Sequence, residues 1–204
     1  GGGIMLRTIL KINDQLPPPK TILTYGTYSN AESMLEFLLN GVISVDGKTY
    51  RTTPNEWGLI VLFHNYLNNL YTDWDSNDLQ HAIKLQIQGK MEECNAQVNQ
   101  LPEFQKNIFH SIIQRNLTLE VKELIQSMIE REHQSLKNLS PCQWANQILN
   151  KVFIIHGAND SMIPFTESIQ LSKILPNSEL FISHLYEHND ISINRGVFFI
   201  CLEI

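Results

Sequence analysis

No run of lysine or arginine occurs anywhere in these 204 residues, and the formal net charge is −6. That excludes a nucleic-acid partner held through a basic patch, because such binding needs clustered cations facing the phosphates. Cysteine is scarce: Cys94, Cys142 and Cys201 are widely spaced and odd in number. They make neither a disulfide framework nor a metal-ligand spacing, and their expected role is that of small buried hydrophobes. Long apolar stretches are missing too. The longest, Leu59 to Phe63 and Val197 to Leu202, are far too short for an integral membrane segment. What remains is 43% hydrophobic and 18% charged, the composition of a globular chain large enough to bury a substantial core.

The densest signal is Lys151-Val-Phe-Ile-Ile-His-Gly-Ala-Asn-Asp160-Ser-Met-Ile-Pro164. Val152 to Ile155 is a short apolar run, the pattern of a fully buried strand. Gly157 permits the tight turn that leaves a sheet. Asp160 then falls just past the strand's carboxyl end, where open α/β sheets place their chemistry. Pro164 and Pro176 bracket a helix over about 165–175. A second strand follows over 179–184, and beyond it His188 in Leu185-Tyr-Glu-His-Asn.

Strand, acid, helix, strand, histidine is the order of the last two members of a Ser…Asp…His triad, and the stretch resembles the C-terminal third of an α/β-hydrolase. The resemblance implies that Asp160 is the orienting acid and His188 the general base. It also implies a serine in a G-x-S-x-G elbow, and no Ser or Cys of this chain has that frame. Gly1-Gly-Gly followed by the apolar Ile4 to Ile12 is similar to the segment just downstream of such a serine. On that reading the chain starts one or two residues after its nucleophile; the other reading of the glycines is an expression scar. If the serine directly precedes Gly1, the Gly1 N–H is one donor of the oxyanion hole; if a residue intervenes, that donor is missing as well.

Other residues compete for these roles. Asp160 in an Asn-Asp turn can serve simply as a turn former or helix cap. His156, in the His-Gly position, is generally structural in the family. His184 lies at the end of the last strand, four residues before the position that the resemblance gives the base. Asp190 is too close in sequence to His188 to reach behind its ring. His184-Leu-Tyr-Glu187-His188 also matches H-x-x-E-H, a zinc-peptidase pattern that needs both histidines on one helical face; directly after a strand it is a weak match.

The expected fold class is therefore α/β: parallel strands 20–26, 151–156 and 179–184 in one sheet, with 4–13 and 165–175 as crossover helices. The expected division is hydrolase core over 1–30, helical lid or cap over 31–147, and core again over 148–204. Within the insertion, helices are expected over 56–71 and 78–91, the second capped from Asp75-Ser-Asn. Another opens at Pro102-Glu103, and Leu117, Val121, Leu124, Ile125 and Met128 form an amphipathic face. Val42 to Lys48 reads as a turn with strand-like flanks. Trp57, Tyr71 and Trp74 are expected to pack in the cap or to line a substrate pocket. The function implied is a serine-type hydrolase acting on a small-molecule ester or related acyl substrate, with no cofactor and no metal. A non-catalytic binding protein of the same fold and the zinc peptidase are the alternatives.

Overall fold

The computed structural model describes residues 2–12, 17, 19–45, 47–70 and 72–184. In chain order these form α1 (Gly2–Ile12), β1 (Thr21–Tyr25), α2 (Ala31–Asn40), β2 (Val42–Val45), β3 (Lys48–Arg51), α3 (Glu56–Tyr66) and α4 (Asn77–Ile87). There follow α5 (Met91–Gln100), α6 (Glu103–Ile113), α7 (Leu119–Leu139), β4 (Lys151–Gly157), α8 (Phe165–Ile174) and β5 (Ser178–Ser183).

The three apolar runs expected as strands form one parallel sheet in the order β1-β4-β5. Tyr25 lies beside Ile155, and Ile155 beside Phe181. Alternation sends Ile22, Val152 and Ile154 to one face, where they meet Leu6 of α1, Leu171 of α8, and Trp144 and Ile148. The other face presents Leu23, Tyr25, Phe153 and Phe181 at 36–60% exposure, an open apolar surface on a kind of sheet usually covered on both sides.

Contacts divide the chain into one unit of residues 1–53 and 134–204 and another of residues 54–133. Residues 31–53 and 134–147, which sequence patterning groups with the insertion, thus lie with the sheet. The chemistry of Glu167, at the start of α8, accounts for the first of these. Its buried carboxylate accepts Ser29 N–H at 2.9 Å and Asn30 N–H at 2.8 Å through Oε2, and the Ser33 hydroxyl at 2.6 Å through Oε1. Ser140 Oγ adds a second tie by accepting Ala31 N–H at 2.9 Å. With its start fixed, α2 is capped by Asn30 and ends at Gly41, whose φ of 66° is the left-handed turn glycine takes without strain. The β2–β3 hairpin follows where strand-like flanks are expected.

Residues 54–133 contain only helices among those described. Asn55 caps α3, and Leu59, Ile60, Leu62 and Phe63 are buried as their density predicts. The helix expected over 78–91 instead stops at Ile87, because Gly89 turns the backbone to φ 69° before α5 begins. Asp75, not Ser76, supplies the capping oxygen, accepting Asn77 N–H at 2.9 Å. Val121, Ile125 and Met128 form the buried stripe of α7. Cys94 is buried and donates to Ala82 O; Cys142 is half-buried, and Cys201 lies outside the described residues.

Two measurements check these contacts. Glu167→Ala orphans one buried and one part-buried backbone donor and should cost about 3 kcal/mol, with Glu167→Gln intermediate, read as a lowered urea midpoint at constant slope. Burial pushes the Cys94 thiol above its ordinary pKa, so native protein at mildly alkaline pH should alkylate at Cys94 far more slowly than at Cys142.

Candidate active site

At the end of β4 the chain turns through an Asp160 N–H bond to Gly157 O at 3.1 Å, while Ala158 N–H donates to Ser183 O of β5 at 2.9 Å. Asp160 is 3% exposed. A buried carboxylate must be met by donors, and Oδ1 accepts Met162 N–H at 2.8 Å and Ile163 N–H at 2.9 Å. This is the turn-forming role open to an Asn-Asp pair. It occupies one carboxylate oxygen. The other, Oδ2, faces His156 Nε2 at 3.3 Å.

His156 is wholly buried on the α8 side of β4. Its Nε2 lies 2.9 Å from Ile163 O and its Nδ1 2.6 Å from Ser168 Oγ. A carbonyl only accepts, so Nε2 carries a proton. Ser168 Oγ also lies 3.2 Å from Thr27 O, just beyond β1. Ser168, His156 and Asp160 thus form a serine–histidine–aspartate array, yet both Ser168 and His156 are 0% exposed. A hydroxyl sealed from solvent meets no substrate, so this array is a structural brace. The family resemblance implies a structural His156 but gives no hint of Ser168, an unremarkable serine within a helix.

The start of α1 reaches the same edge of the sheet. A Cβ added to Gly2 would lie 1.9 Å from Thr27 Oγ1, and one added to Gly3 would lie 3.3 Å from the Tyr28 ring. The paired glycines therefore let the first turn of α1 press against the loop leaving β1, and Thr27 is held in turn through Ser168 and His156.

Of the three expected site residues, Asp160 alone is placed here. Gly1 and His188 lie outside the described residues, as do Glu187 and Asp190. His184 is exposed, one residue beyond β5. Among the described residues no three of His, Cys, Asp and Glu converge as a metal site, and no helix is long and apolar enough to cross a membrane. In the helical unit Trp57 is 40% exposed, and Trp74 packs edge-on to Phe104 at 5.3 Å. Two cavities there have volumes of about 450 and 420 Å³, and neither is lined by either tryptophan. Tyr71 is outside the described residues.

No protein-family model and no curated protein matches the sequence. Among solved structures, the chain is similar to an alpha/beta fold family hydrolase from Bacillus anthracis str. Sterne, at 16% identity and a TM-score of 0.44, over 93% of this chain and 58% of that one. An esterase from Exiguobacterium antarcticum gives 18% identity and a TM-score of 0.40, over 93% and 57%. A 2-hydroxy-6-oxo-6-phenylhexa-2,4-dienoate hydrolase from Rhodococcus sp. strain RHA1 gives 14% and 0.38, over 92% and 53%. The chain spans little more than half the length of these structures.

The glycine contact is open to test. Gly2→Ala should destabilise by about 2 kcal/mol through overpacking, and adding Thr27→Ala should recover part of that loss in a double-mutant cycle. Strictly additive losses would mean that the two residues do not touch.

Proposed function

We propose that this chain is part of a serine hydrolase that cleaves carboxyl esters or related acyl substrates through an acyl-enzyme. Asp160 is the orienting acid, His188 the base and a serine the nucleophile; where that serine directly precedes Gly1, the Gly1 N–H is one donor of the oxyanion hole. The helical insertion is the lid over the substrate.

The observation that carries this reading is the buried carboxylate of Asp160 at the carboxyl edge of the sheet, with one oxygen spent on its own turn. The same edge receives the glycine-paired start of α1, the point at which a serine ahead of that helix would stand. In such an arrangement His188 takes the hydroxyl proton as the serine oxygen bonds to the acyl carbon. The imidazolium then returns that proton to the departing alkoxide. Water repeats the sequence to free the acid and restore the serine. A carboxylate behind the ring fixes its tautomer and steadies the positive charge.

The test uses the full-length protein and an activated ester such as a p-nitrophenyl acylate. His188→Ala should abolish turnover, while His184→Ala should leave most of it. Asp160→Asn keeps an oxygen for the turn but favours the wrong tautomer; a loss on the order of ten-thousand-fold is the precedent for that change in a serine protease. A fluorophosphonate should label a serine upstream of Gly1. Loss of activity to a chelator, with recovery on adding zinc, would instead favour the H-x-x-E-H chemistry of His184 and His188.

A further inference from the structure

We propose that the cleft between α6 and the start of α7 binds a neutral sugar, with a pyranose ring seated against Phe104. The site lies within residues 104–120 of the helical unit and stands apart from the hydrolase reading, which it does not need. Its volume is about 420 Å³, within the range of pockets that take small molecules. Phe104, Ile108 and Ser111, with Gln114 just past the helix end, are spaced four, three and three residues apart and share one face of α6. The chain then turns at Arg115, φ 53°, and brings Asn116, Thr118 and Glu120 to the opposite wall. Ser111 is the residue that marks a site. It is 7% exposed and lines the cleft, yet its hydroxyl has no hydrogen-bond partner among the described residues. A helical hydroxyl can bond back to the carbonyl four residues earlier, as Thr8 does to Ile4 O at 3.0 Å. Ser111 does not, and a hydroxyl taken from water without a partner is costly.

The walls select the ligand. Among the described residues no lysine or arginine lines the cleft, so no fixed cation answers a phosphate or a carboxylate. Hydrogen bonds from its own backbone N–H and from the Thr118 hydroxyl hold Glu120 below its ordinary pKa, so an anionic ligand meets a negative charge. The side chains of Asn107, Gln114 and Asn116 also face the cleft and make no hydrogen bond to a described residue. Amides and hydroxyls together both donate and accept, which matches the hydroxyls of a sugar. Phe104 is 45% exposed and is steadied edge-on by Trp74 at 5.3 Å. The negative face of such a ring attracts the C–H groups of a pyranose.

The test is a titration of the 15N-labelled chain with the methyl glycosides of glucose, galactose, mannose and N-acetylglucosamine. It is followed through the side-chain amide signals of Asn107, Gln114 and Asn116. At least one glycoside should shift them saturably in the millimolar range, the affinity of a single ring with few contacts. Phe104→Ala should weaken that binding about tenfold, and Ser111→Ala, which removes only the hydroxyl, about fivefold. Glu120→Gln keeps an acceptor and should leave the affinity within about threefold. Tetramethylammonium is the control, because an aromatic ring beside a carboxylate also suits a cation. Saturable shifts with tetramethylammonium that vanish in Glu120→Gln, with none from the glycosides, overturn the proposal in favour of a cation site. Shifts with neither kind of ligand, or glycoside shifts indifferent to both Phe104→Ala and Ser111→Ala, overturn it outright.

Discussion

Charge without water must be met by donors, and this constraint organises the sheet-bearing unit. Among its described residues two carboxylates are buried, Asp160 just before α8 and Glu167 within its first turn. Asp160 draws in the N–H groups of its own turn; Glu167 draws in the loop after β1 and the start of α2. One shapes the exit from β4 and the other the exit from β1. The edge where both strands end is therefore built around two anions and the dipoles that answer them. Leaving any of these donors unpaired would cost on the order of 1–3 kcal/mol, a large share of the stability of an ordinary domain.

The strands could be read directly because each is a short apolar run bounded by glycine, proline or polar residues, and their parallel order follows from the helices between them. The stripe of α7 was equally plain, since Val121, Ile125 and Met128 repeat at helical spacing. Boundaries were less so. Nothing in the pattern over 78–91 says that Gly89 takes a positive φ and ends one helix before the next. The grouping of residues 31–53 with the sheet was invisible, because it depends on Glu167, which is distant in sequence and on a helix face that looks merely polar.

The candidate site was legible in the same uneven way. Asp160 stands out because a strand, a glycine turn and a proline frame it. His156 could be set aside as structural, but its partners could not be named. Ser168 and Thr27 meet it only after α8 folds back on the sheet and β1 pairs with β4. Hydrogen bonds between distant segments leave no periodic trace.

Because Asp160 both closes its turn and faces His156, the residue has a structural reason to persist that owes nothing to turnover. A relative with no catalytic role would still need an acceptor at this position to keep β4, α8 and the end of β1 in register. An aspartate found here in some other sequence is thus a marker of architecture first, and a catalyst is recognised by what stands in front of it.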